Sequence, residues 1–109
     1  MEILSHQQLG RLLKKAQRGD ARAFEQLYQA TAPMQQLFIL RYVCAAQEAE
    51  DLLQQVYLVL WQNIQQIKKP QALVSYLNRT SFHVCSNYLR QKDHYPSVSL
   101  AQDWVQDLV

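Results

Sequence analysis

Helix-breaking residues are almost absent from this chain, and that scarcity constrains its fold more than any other feature. Two glycines and three prolines are spread over 109 residues. Inside a helix a glycine costs about 1 kcal/mol and a proline about 3 kcal/mol relative to alanine, so long stretches lacking both are free to be helical. No extended alternation of apolar and polar residues competes, and no internal repeat is present. The apolar residues instead step by three and four. Residues 7–18 carry Leu9, Leu12, Leu13 and Ala16, and residues 21–44 carry Phe24, Leu27, Tyr28, Met34, Leu37, Phe38 and Val43. Residues 48–67 carry Leu52, Leu53, Val56, Leu60, Ile64 and Ile67, and residues 70–92 carry Leu73, Leu77, Thr80, Val84 and Tyr88. The pattern predicts an all-α fold, a compact bundle of about four helices with these residues inside.

The few breakers fall where such helices would meet. Gly19 permits the backbone of a helix end, and Asp20 is a strong N-cap for the next helix. Pro33 falls within the second helix and is expected to kink it. Glu48, Glu50 and Asp51 are expected in the first turn of the third, where carboxylates interact favourably with the helix dipole. Lys68-Lys69-Pro70 ends that helix, because the residue before a proline is pushed out of helical geometry, and Pro70 can open the fourth. Residues 93–96 read as an exit loop. Beyond it, Leu100, Trp104 and Leu108 recur at a four-residue step in a segment read as a docked or frayed turn of helix. Residues 1–92 are therefore expected to form one helical domain, with 93–109 starting a linker.

Composition narrows the function by exclusion. At 109 residues the chain holds one core, and its 49% apolar content is that of a folded protein. No apolar run approaches the roughly 18 to 20 residues that span a bilayer, and the first residues lack the layout of a secretory signal, so a cytoplasmic location is expected. Cys44 and Cys85 lie far apart, away from His6, His83 and His94, and read as two buried thiols in a reducing compartment; no metal is expected. No glycine-rich phosphate loop and no nucleophile motif is present, so neither an enzyme nor a cofactor is expected. The net charge of +2 is uninformative, but its distribution is not. Residues 52–92 contain no Asp or Glu, while Lys68, Lys69, Arg79, Arg90 and Lys92 are all basic. So one-sided a stretch creates a positive potential suited to a polyanion such as DNA, although a solvated surface face would read the same way.

Several segments together resemble region 2 of the extracytoplasmic-function sigma factors. Gly19-Asp20-Ala21-Arg22-Ala23-Phe24 with Leu27-Tyr28 looks like the family's opening G-D-x-x-A-F motif, and Arg41-Tyr42-Val43 follows. The run from Ala49-Glu50-Asp51-Leu52 through Gln54-Gln55-Val56-Tyr57-Leu58 to Trp61 is similar to A-E-D-L-x-Q-E-V-F-L-x-x-W. Tyr76-Leu77-x-Arg79 with Asn87-Tyr88-Leu89-Arg90 is similar to W-L-x-R-I-A-x-N-x-x-x-D-x-L-R. Order and spacing hold from Leu9 to Lys92. The chain departs from the pattern at His83, where the family usually has Asn, at Thr80-Ser81 in place of Ile-Ala, at Asn87, where it often has Asp, and at Gln55 in the usual Gln-Glu pair. The family's helix-turn-helix domain, which reads the minus-35 element, has no counterpart here, so an excised domain is the expectation.

The resemblance implies a domain that directs transcription initiation by binding core RNA polymerase and melting the promoter. Asp51, Gln54, Gln55 and Leu58 share one face of the third helix, with Trp61 one turn further. The implied partner of that face is the clamp-helix coiled coil of the polymerase beta-prime subunit. The loop at Ile67, Lys68 and Lys69 and the outer face of the fourth helix form the second surface. There Lys68, Lys69, Arg79 and Arg90 would contact phosphates, while Tyr76, Phe82, His83 and Asn87 would stack on bases or hydrogen-bond their edges. The implied ligand is the non-template strand of the minus-ten element, and an anti-sigma factor is a further implied partner. The competing reading is a sigma-like helical adaptor that binds polymerase or an anti-sigma factor without reading DNA.

Overall fold

The computed structural model describes residues 5–93, and the expectations for 94–109 lie outside them. Four α-helices follow in order, α1 (His6–Gln17), α2 (Ala21–Leu40), α3 (Ala46–Asn63) and α4 (Pro70–Asp93), with a 3-10 turn (Ile64–Gln66) between the last two. Asp93, expected in an exit loop, is the last residue of α4. None of these helices is long and apolar enough to cross a membrane.

Local chemistry accounts for the ends. Ser5 and Gln8 form a capping box, each side chain accepting from the other's backbone N–H at 3.2 and 2.9 Å. At the other end of α1, Gly19 takes φ 96°, and the amides of Gly19 and Asp20 donate to the carbonyls of Ala16 and Lys15. That left-handed position satisfies carbonyls which would otherwise be orphaned and turns the chain into α2. Asp20 Oδ1 then accepts from the amides of Arg22 and Ala23, which caps α2.

Three further boundaries differ from expectation. α2 ends at Leu40, not near Cys44, because the amides of Tyr42 and Val43 share the Ile39 carbonyl and the chain turns to bury Val43. α3 starts earlier, at Ala46, so of the three acids only Glu48 lies in its first turn. At its far end the helix tightens into the 3-10 turn instead of running on to Ile67. Side chains three apart eclipse in that geometry, so Ile64 and Ile67 enter the core together.

α2 and α4 each pack against all three other helices, while α1 meets α3 only through the 3-10 turn. Leu27, Ile39, Val56, Leu60, Leu73 and Leu77 fill the space between them. On α3 the expected stripe is buried throughout, from Leu52 to Ile67.

On α2 it is not. Met34 and Leu37, expected inside, are 69% and 63% exposed, and the inward face runs through Ala23, Leu27, Thr31, Gln35 and Ile39. The reason is a polar contact. Gln35, 2% exposed, donates from Nε2 to Asn78 Oδ1 at 2.9 Å and accepts from Ser81 Oγ at 2.7 Å. A buried amide satisfied on both sides loses little, so α2 rotates to suit it and exposes Met34 and Leu37. Nearby, Thr31 Oγ1 donates to the Leu27 carbonyl, which leaves the Tyr57 hydroxyl as the donor in their 2.5 Å contact. Burial raises the Tyr57 pKa, and the hydroxyl stays protonated.

Cys44 corrects the expectation of two buried thiols, since it is exposed and only Cys85 is buried. Val43 takes the core position at that turn and leaves Cys44 outside. Burial pushes the Cys85 thiol from 9.0 to about 11. Alkylation at pH 8 should therefore modify Cys44 quickly and Cys85 only after unfolding, as intact-mass spectrometry would show. Gln35→Ala should lower stability by about 2–4 kcal/mol in urea unfolding, because it opens a cavity and orphans the Ser81 hydroxyl. Ser81→Ala, which removes one small group, should cost about 1 kcal/mol.

Candidate functional site

α3 has one face in the core and one in solvent. Opposite its buried stripe, Asp51, Gln54, Gln55, Leu58 and Trp61 are all exposed, spaced by three- and four-residue steps along one strip. Trp61 is held from below, its ring edge-on to Phe24 at 4.8 Å between centroids. Phe24 also stands edge-on to Tyr57 at 6.5 Å, and Tyr57 to Tyr28 at 4.7 Å. These rings, with Gln54 and Leu58, line an apolar hollow of about 470 Å³ beside the strip. An acid, two amides and exposed apolar groups around an aromatic hollow suit a protein partner, since aromatic anchors in pockets carry much of the energy of such interfaces. Helical spacing marks Phe24 and Tyr28 only as core residues. Their place in the opening motif is the available signal, but only the crossing of α2 over α3 brings them beside Leu58 and Trp61.

The second candidate surface begins at the loop before α4. Lys68 and Lys69 are exposed, and Lys68 Nζ reaches the Gln65 carbonyl at 3.3 Å. Along α4, Tyr76, Arg79, His83, Asn87 and Arg90 follow one another by steps of three and four. Tyr76 is half-buried against the core, and Arg79, His83, Asn87 and Arg90 are exposed. From Tyr76 to Arg90 the strip extends about 21 Å at the rise of an α-helix, enough to follow several nucleotides. Arg90 donates to Asn87 Oδ1.

Two expected members of this surface are inside the protein. Ile67 is 4% and Phe82 3% exposed, so neither offers a face to an external base. The 3-10 turn carries Ile67 into the core, and Phe82 points away from the strip. Phe82 instead supports His83, whose ring stands edge-on to it at 6.0 Å. Of the rings expected on this surface, only those of Tyr76 and His83 reach it. No acidic residue interrupts α4 before Asp93, so its outer strip keeps a positive potential. Among the described residues, no group of three or more His, Cys, Asp or Glu is placed to hold a metal ion.

Comparison with known proteins bears on the family. The family model for sigma-70 region 2 matches residues 27–95, more than half of the chain. The RNA polymerase sigma-H factor of Pseudomonas aeruginosa is 28% identical over 94 residues, covering 86% of this chain and 49% of that protein. The chain thus spans about half the length of that curated relative. No solved structure matches.

Proposed function

The chain belongs to the sigma-70 region 2 family, and from that premise we propose that it is the polymerase-binding, promoter-melting domain of an extracytoplasmic-function sigma factor. The α3 strip of Asp51, Gln54, Gln55, Leu58 and Trp61 binds the clamp helices of the beta-prime subunit. The loop at Lys68 and Lys69, with Tyr76, Arg79, His83, Asn87 and Arg90 on α4, captures the non-template strand of the minus-ten element. An anti-sigma factor would act by covering the α3 strip. On this reading the protein works where core polymerase and the nucleoid are, in the cytoplasm.

The observation that carries the proposal is the unbroken, acid-free strip on α4, in which cations alternate with groups able to stack on or hydrogen-bond a base. Cations neutralise the backbone, and flat or polar groups then engage unstacked bases. Stacking is worth about 1–3 kcal/mol per base, close to the cost of drawing one base out of a duplex. Each captured base therefore favours the open state by differential binding, a population shift with no chemical step. His83 and Asn87 are one helical turn apart and can address the same base, so preference for sequence is assigned to them.

Strand preference separates this reading from that of an adaptor. The chain should bind single-stranded minus-ten non-template DNA far better than its complement, and equal binding of both strands would remove the promoter-reading claim. Replacing Lys68 and Lys69 with Ala should weaken binding to all sequences and flatten the dependence of log affinity on log salt by about 0.7 for each phosphate no longer neutralised. His83→Ala should instead change the ranking of single-base variants, and an unchanged ranking would exclude it as a specificity residue. Asp51→Ala should lower affinity for core polymerase about fivefold, or about 1 kcal/mol, and leave DNA binding intact. Equal polymerase affinity for Asp51→Ala and parent would sink the assignment of the α3 strip.

A further inference from the structure

The loop that presents Lys68 and Lys69 has few hydrogen bonds of its own. The Ile67 amide reaches the Ile64 carbonyl at 3.3 Å, and the Ala72 amide reaches the Lys69 carbonyl at 3.0 Å. Its shortest tethers come from α1, far away in sequence. Gln17 Nε2 donates to the carbonyls of Ile64 and Ile67 at 2.8 and 2.7 Å. Gln65 Nε2 returns a bond to the Gln17 main-chain carbonyl at 2.5 Å. Gln17 is the last residue of α1, so that carbonyl lacks a helical partner and Gln65 supplies one.

The other end of the loop also rests on α1. A Cβ added to Gly10 would lie 2.8 Å from Pro70 Cγ, so the α1 backbone is packed directly against the proline ring that starts α4. One helix therefore grips the loop at both ends, through the amide of Gln17 and through the bare backbone of Gly10. Both residues lie outside the segment that the family model matches.

From this geometry we infer that Gln17 is a positioning residue for DNA capture, holding the 64–69 backbone so that Lys68 and Lys69 stay aimed at the nucleic acid. The inference rests on the reading of the loop and α4 as a DNA surface. An amide suits the task because its NH₂ group has two protons and faces two carbonyls. A glutamate of the same shape has no donor when ionised and would set a negative charge against two carbonyl dipoles. The side chains of Ile64 and Ile67 are already buried, so the core does not depend on Gln17 to the degree that the loop backbone does.

The test compares Gln17→Met and Gln17→Glu with the parent chain in three measurements. Urea unfolding reports the whole fold, amide hydrogen exchange at residues 64–69 reports the loop, and fluorescence anisotropy with a labelled 20-mer oligothymidine reports capture. Both variants should keep a near-parental urea midpoint, exchange about tenfold faster in the loop and bind the oligonucleotide several-fold more weakly. Unchanged loop exchange would show that Gln17 does not hold the loop. Faster exchange with parental oligonucleotide affinity would show that the tether has no part in capture. A midpoint that collapses in both variants would make Gln17 a residue of global stability and overturn the inference. If the parent chain fails to bind the oligonucleotide, the DNA reading fails first and takes the inference with it, whatever the exchange data show.

Discussion

The bundle is organised around a buried amide. Gln35 on α2 joins Asn78 and Ser81 on α4, and these two helices touch every other helix in the fold. A polar group in an apolar interior is costly in any register that leaves it unpaired, by about 1–3 kcal/mol, so the contact specifies one rotation of α2 against α4. That rotation faces Leu27 and Ile39 inward and leaves Met34 and Leu37 in solvent. It also sets Phe24 and Tyr28 over α3, where they form the hollow beside Leu58 and Trp61.

With α2 and α4 fixed, the outer surfaces follow from helical periodicity. α3 uses one face for Leu52, Leu53, Val56 and Leu60 and presents Asp51, Gln54, Gln55 and Leu58 on another. α4 buries Leu73, Leu77, Ser81 and Cys85 and presents Arg79, His83, Asn87 and Arg90. A rigid helix can hold such a row of polar groups in register at little entropic cost, whereas a loop would have to order them on binding. The connection between α3 and α4 is the exception, and there α1 supplies the order through Gln17 and Gly10.

Much of this is legible in the residues. The capping chemistry of Gly19 and Asp20, the stop at Lys68-Lys69-Pro70 and the buried stripe of α3 each rest on interactions within a few positions, which local sequence encodes directly. The exposed strip on α3 follows from the same spacing. What is not legible involves partners far away in the chain. Hydropathy ranks Met34 and Leu37 above Gln35 for burial, and nothing near Gln35 reveals that Asn78 and Ser81 wait across the interface. Phe82 is adjacent to a residue that does face outward, so only the helix packing reveals that it is core, while Ile67, expected both in the buried stripe and on the loop surface, follows the stripe.

The sequence by itself determined an all-helical chain, its breaks and caps, the stripe of α3 and an acid-free basic stretch, because each depends on spacing or composition along the chain. Tertiary structure decided the rotation of α2, the burial of Phe82, the aromatic hollow under Trp61 and the hold of α1 on the loop. Those depend on groups far apart in the chain, 26 residues for Thr31 and Tyr57 and 50 for Gln17 and Ile67. A polar side chain goes inside only when a partner is there to receive it, and only the folded chain brings that partner within reach.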